Sequence, residues 1–370
     1  MATPYRADQV GSFLRPPAIK QGVVDLKAGK ITQEQMTAIE DAEILKLLQM
    51  QKEVGIDVFS DGELRRSGWA SGFQAAVDGY VEGVPSVVLQ ARGGVGAQGE
   101  GPAPRRVLGA PLVQRKPLTA HEASFLKAHA PGPYKVTMPA ASYVASRAYN
   151  PEISDKVFGS RAGLLQAVAG IIRNEIAQLV VDGVPYIQLD NPHYTDLVSS
   201  DIEEQYHAAG IDPDQALRED VEADNACLEG FDRSNVVLAM HFCRGNTGGG
   251  GFHKAGGYDR VAEVTFGGLA VDSLLLEYDS ERAGTFDPLR FVPKGKQVVL
   301  GLITTKEPAM ENPDDVIRRI EEATKYVALE DLSLSPQCGF ASTFQGNPLT
   351  PEEQRAKLEL VVETARRVWK

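Results

Sequence analysis

Tyr186-Ile-Gln-Leu-Asp-Asn-Pro-His193 and Val236-Val-Leu-Ala-Met-His-Phe-Cys243 are two short apolar runs that break off abruptly into polar side chains, with a stretch of helical period between them. An apolar strand, a helix and a second strand make the βαβ unit. Outward from this pair the alternation continues to both ends of the chain. It predicts strands over 7–11, 56–61, 134–138, 186–190, 236–241, 273–277, 297–303 and 332–335. Helices are predicted over 33–54, 160–181, 214–229, 259–269, 313–328 and 351–368; the last has Thr350 as N-cap and Pro351 in its first turn, where the missing N–H costs nothing. Eight strands joined by right-handed crossovers favour a closed (β/α)8 TIM barrel over an open doubly wound sheet.

On this reading residues 1–370 form a single catalytic barrel, with one break in the rhythm. A hairpin-like insertion is expected between the second and third strands, over about residues 81–133. It has β-like pieces at 87–89 and 106–108 and a short helix after Thr119. The glycines over 245–257 fit neither GxGxxG nor GxxxxGK[ST] and read as a mobile loop at the barrel mouth.

The 370 residues are 43% hydrophobic and 24% charged, an ordinary globular composition. A net charge of −12 argues against nucleic acid and anionic membranes as partners, because phosphate binding needs a basic surface. No apolar run approaches the roughly 20 residues that cross a bilayer, and the start lacks the basic end and apolar core of a signal peptide, so a cytoplasmic location is expected. Three cysteines without a CxxC pair are too few for a disulfide framework.

In a parallel barrel the chemistry gathers where the strands end. His241 and Cys243 are one residue apart at such an end, and the two-residue period of a strand turns both to the same side. Cys338 and Glu277 close the eighth and sixth strands. One nitrogen, two sulfurs and one oxygen suit a tetrahedral zinc ion. Cys227, flanked by Ala226 and Leu228 in a helical stretch, reads instead as a small core residue. Two thiolates and a carboxylate set −3 against the +2 of zinc. Such an electron-rich centre activates water poorly but keeps a bound thiol ionised, so alkyl transfer to sulfur is the expected chemistry.

Six ordered motifs carry a resemblance: Val10-Gly-Ser-Phe13, Asp61-Gly-Glu63, Ile187-Gln-Leu-Asp190, His241-Phe-Cys243, Leu276-Glu277 and Ser335-Pro-Gln-Cys-Gly339. Across nearly the whole chain the sequence resembles the catalytic barrel of cobalamin-independent methionine synthase, and more closely its short single-domain bacterial relatives. The resemblance implies that His241, Cys243, Glu277 and Cys338 hold Zn2+. It implies that Ser12, Glu63 and Asp190 hold a homocysteine-like thiol, and that methyl transfer from methyltetrahydrofolate or another donor gives methionine. The implied partners are that thiol and the methyl donor, with no nucleic acid and no membrane, and a homo-oligomer is compatible.

The departures fall on the donor side. Asn191 stands where the family has glutamate, and Leu302-Ile-Thr-Thr-Lys306 lacks the family's histidine after the seventh strand. Residues 141–147 offer only Tyr143 in place of a folate-stacking tryptophan. His193 is the stand-in for the missing acid, with Lys306 as a second candidate. Without that acid an already activated methyl donor, on a corrinoid or a sulfonium, is expected to serve better than methylfolate. Three other readings stay open: a thiol alkyltransferase with another electrophile, such as an epoxide opened by coenzyme M; a non-catalytic zinc or thiol-binding protein; and a metal-free, decarboxylase-like barrel.

Overall fold

The computed structural model describes residues 5–87 and 106–369. Its centre is a six-stranded parallel sheet in the order Leu332–Pro336, Gln297–Ile303, Ser273–Glu277, Val237–Phe242, Tyr186–Asp190 and Lys135–Pro139. Four of these strands are buried along their whole length, as expected of a parallel sheet covered on both faces. All six predicted helices start within one residue of the predicted limit, and Gln33–Val54 and Pro351–Val368 match theirs at both ends. Thr350 caps the last helix as expected, its side chain accepting from Glu353 N while Glu353 reaches back to Thr350 N.

The first two predicted strands are reduced to single ladder contacts. Ala7 pairs in parallel with Leu334 on one edge of the sheet, and Phe59 with Tyr134 on the other. Between them Asp57 N–H donates to Ala7 O at 3.0 Å. Main-chain bonds persist at both contacts, Asp8 N to Leu334 O at 2.9 Å and Lys135 N to Phe59 O at 2.8 Å, and side chains take further N–H groups of the first segment. The Asp57 carboxylate accepts from Arg6 N at 2.7 Å and Ala7 N at 2.9 Å, and Asp8 accepts from Gln9 N at 2.6 Å.

Between Phe59 and Tyr134 the chain forms an antiparallel pair, Val77–Glu82 with Arg106–Gln114, followed by the helix Ala120–His129. The second arm and the helix lie where expected, but the first arm lies upstream of the predicted piece at 87–89, whose residues 88 and 89 fall outside the described residues.

Among the described residues one helix, Arg161–Val181, is long and apolar enough by composition to cross a membrane, in contrast to the expectation from sequence. Its face Leu164, Leu165, Val168, Ile172, Ile176 and Leu179 is buried in the core. Glu175, also buried on it, accepts from Thr119 N and Oγ1, both at 2.7 Å. It packs as a helix of this domain.

Candidate functional site

The parallel register brings the strand ends together. Asp190 lies beside His241, Phe242 beside Leu276, and Glu277 beside Gly301. One ligand atom from each of His241, Cys243, Glu277 and Cys338 lies within 4.8 Å of the others, and all four side chains are buried. The two sulfurs are 3.4 Å apart. His241 Nδ1 faces Leu275 O at 3.3 Å, which leaves Nε2 as a buried atom without a hydrogen-bond partner. An imidazole tied at one nitrogen and unpartnered at the other, beside two thiols, is the arrangement a metal-binding histidine adopts. Glu277 is steadied from behind by Arg244 N at 2.8 Å and the Arg282 guanidinium at 3.0 Å.

The electrostatics suit a cation. Burial opposes charge on His241, yet Cys243 raises its pKa to about 8. Burial, and after it Cys243, raises Glu277 to about 7. Burial opposes charge on this carboxylate even with Arg282 beside it, and a divalent metal would compensate the carboxylate and both thiolates together. Cys227 takes no part: it is buried in the core, its thiol 3.3 Å from Ala223 O.

Above this cluster lies a cavity of about 100 Å³. Ser12, Glu63 and Asp190, expected to hold the substrate, line it together with His241, Cys243 and Cys338. Ser12 fits against Gly339, where a Cβ would overlap its Oγ. Glu63 adopts φ +56, a left-handed conformation that costs energy for a side chain of this size. That turn aims its carboxylate into the cavity: Oε1 accepts from Thr137 Oγ1 at 2.8 Å, while Oε2 is buried with no partner. Asp190 is held at 2.7 Å by Gln188, which Lys135 holds in turn at 2.9 Å. Burial, and with it Glu63, pushes Asp190 up to about 7 despite nearby His241.

His193 is placed elsewhere. It is buried outside the cavity lining, with Nδ1 2.7 Å from Asp196 and Nε2 2.8 Å from Asp220. Its pKa is raised by these carboxylates against the opposing effect of burial. Lys306 is also engaged, its ammonium on Asn246 Oδ1 and Gly251 O.

Three lining residues escaped the sequence reading or were undervalued by it. Trp69 packs on Tyr143 with ring centroids 4.6 Å apart, so the cavity does hold an aromatic pair, supplied in part by the segment after the second strand. The glycine-rich loop contributes Lys254, a fully buried ammonium 2.7 Å from Asp196 Oδ1 that also donates to Pro192 O.

Fold and site together define a class: an α/β protein whose parallel strands deliver an imidazole, two thiols and a carboxylate to the floor of a small acidic cavity. The family described as cobalamin-independent synthase, catalytic domain, matches residues 6–367, and the chain belongs to it. It is thereby a methyltransferase of the methionine synthase type. It is similar to the uncharacterized protein YxjG of Bacillus subtilis (strain 168), 39% identical over 99% of this chain and 95% of that one. Methionine synthase of Pyrococcus abyssi (strain GE5 / Orsay) is 24% identical over 89% of this chain and 84% of its own. A Listeria monocytogenes protein assigned as a vitamin-B12-independent methionine synthase has a crystal structure that superposes with TM-score 0.76 at 30% identity, covering 100% of this chain and 99% of that one.

Proposed function

We propose that the chain is a zinc-dependent S-methyltransferase that moves a methyl group to the thiol of homocysteine, giving methionine. The observation that carries this is the four-ligand cluster with its unpartnered His241 Nε2, opening on a cavity with two carboxylates. In this reading the six-stranded sheet and its two edge contacts form one closed (β/α)8 barrel, a single domain carrying the hairpin-like insertion, and the protein works in the cytoplasm.

His241, Cys243, Glu277 and Cys338 hold Zn2+, which when bound keeps a substrate thiol ionised at neutral pH. Glu63 and Asp190 receive the ammonium of the amino-acid thiol. Arg66 lies 3.4 Å from Glu63 Oε1, but Glu63 Oε2 is buried without a partner and Asp190 is pushed up to about 7 by burial, so an arriving ammonium adds compensation that a neutral thiol would not. Ser12, against Gly339, borders the same end of the ligand. His193 is the clasp that holds Asp196 and Asp220 in place, in contrast to the proton donor expected from sequence. The methyl donor is methyltetrahydrofolate or another methyl carrier.

A thiol alkyltransferase using another electrophile is the second reading, favoured by the cationic side chain in the cavity wall, Lys254. Zinc content of protein purified without added metal, together with methionine formation from homocysteine and candidate donors, tests the proposal. One zinc per chain with methionine formed supports it; full activity in zinc-free protein overturns the metal assignment.

A further inference from the structure

The cavity has two unlike ends. At one stands Asp190, whose pKa is raised by burial and by the nearby Glu63 carboxylate, next to His241. At the other stand Tyr143 with Trp69 packed on it at a tilt of 48°, and Lys254, whose surroundings beyond its own burial are Asp196, Arg147 and Cys243. Arg147 links these last two: it donates to Asp196 at 2.6 Å and its guanidinium lies 5.9 Å from the Tyr143 ring. The thiol-bearing Cys243 and Cys338 belong to the same lining. The acidic end fits an amino-acid ammonium, so a methyl donor must enter against the aromatic and cationic end.

Among the described residues lining the cavity, Lys254 alone is a lysine or arginine. An ammonium carries three N–H bonds, so Asp196 and Pro192 orient it without exhausting it. Asp196 is itself fixed by Arg147 and His193, which makes this a braced group and not a surface lysine that has folded inward. Resting on the thiol-methylation reading above, we propose that Lys254 is a further catalytic residue, the source of the proton taken up by the departing nitrogen of an N-methyl donor.

The step balances within the cavity. The substrate thiolate attacks the methyl carbon, the S–C bond forms and the N–C bond breaks with its electron pair going to nitrogen. That nitrogen takes a proton from Lys254 Nζ, and the neutral amine regains one from water. Burial lowers the pKa of Lys254 from its ordinary value, which makes it a better acid than an exposed lysine. The donor implied is a flat heteroaromatic N-methyl compound, in place of the activated donor expected when no acid was visible.

The test uses Lys254→Ala and Lys254→Arg in the zinc-loaded protein with homocysteine as acceptor. The donors are 5-methyltetrahydrofolate, and dimethylsulfonioacetate as a sulfonium that needs no acid. Arginine keeps the charge beside Asp196 but does not release a proton. With the N-methyl donor both variants should lose about 100-fold or more in kcat, and ethylamine should restore part of the Lys254→Ala rate. With the sulfonium the loss should be at least tenfold smaller, and zinc content should be unchanged. A Lys254→Arg variant at the wild-type rate, or equal losses with both donors, overturns the proposal. Wild-type protein that methylates homocysteine from the sulfonium alone overturns it too while leaving thiol methylation standing. Transfer from neither donor overturns thiol methylation itself.

Discussion

The two sides of the cavity are built by different means. The sulfur side comes from strand ends: His241 lies in the ladder, Glu277 closes the next strand, and Cys243 and Cys338 follow the ends of theirs. The aromatic and cationic side comes from Trp69 in an irregular segment, Tyr143 in a seven-residue helix, and Lys254 in a glycine-rich loop. A ladder fixes position through hydrogen bonds every residue or two, so the sulfur side is preset before any ligand arrives. The other side is held by salt bridges and ring packing, which suits a surface that must accept a bulky donor and then release it.

The largest effect should come from the preset side. Cys243→Ala or Cys338→Ala is expected to take zinc content from about one per chain to near zero, with methyl transfer reduced about 100-fold or more. Metal analysis checks this, and zinc retained in both variants would mean that the sulfurs only pack. Next come the carboxylates. Asp190→Asn and Glu63→Gln should weaken binding of the amino-acid thiol by about 2 to 5 kcal/mol, the usual loss on breaking a buried charge pair, while zinc stays bound. Parallel loss of zinc and thiol would erase the distinction between floor and wall.

How far the sequence disclosed each side follows from the same contrast. The period of two in a strand made His241 and Cys243 neighbours on paper, and the order of the strands placed Glu277 and Cys338 near them. No comparable rule reaches Trp69, which stands six residues beyond Glu63 in a segment with no period at all. Lys254 was hidden among glycines that read as a mobile loop at the barrel mouth. His193 shows the opposite error. It follows a strand end and looked available, but Asp196 three residues on and Asp220 on a later helix occupy both ring nitrogens. The first strand was overdrawn because Asp57 and Asp8 spend their carboxylates on its backbone N–H groups, and propensity counts do not register that competition.

Asp61, which accepts from Glu63 N at 2.9 Å, offers a test of what the buried carboxylates beside the cavity cost the free protein. Burial, and after it Glu122, raises its pKa from 3.8 to about 7, and one of its oxygens is buried with no partner. The folded chain thus holds this proton more tightly than the unfolded chain, so stability falls as pH rises from about 4 to about 7. A rise of this size is worth up to about 4 kcal/mol. Asp61→Asn removes the titration while keeping an oxygen for Glu63 N. The variant should be more stable than wild type at pH 8 and no more stable at pH 4, read from denaturant midpoints at both values. A gain independent of pH would point to packing instead.

The smallest expected effect lies on the aromatic side. Trp69 and Tyr143 are both half-buried, so each presents ring surface to the cavity as well as to the other. An aromatic pair is worth about 0.5 to 1.5 kcal/mol beyond the area it covers, and a flat donor that joins the pair gains a contact of the same size. Trp69→Leu keeps apolar bulk but removes the ring face. The KM for an N-methyl heteroaromatic donor should then rise roughly fivefold, which is about 1 kcal/mol, with the homocysteine KM unchanged. A small sulfonium donor gives the contrast, because it has no ring to stack and its KM should hardly move. If both donors weaken alike, Trp69 shapes the cavity without reading the donor, and the two sides differ in construction but not in the molecule each receives.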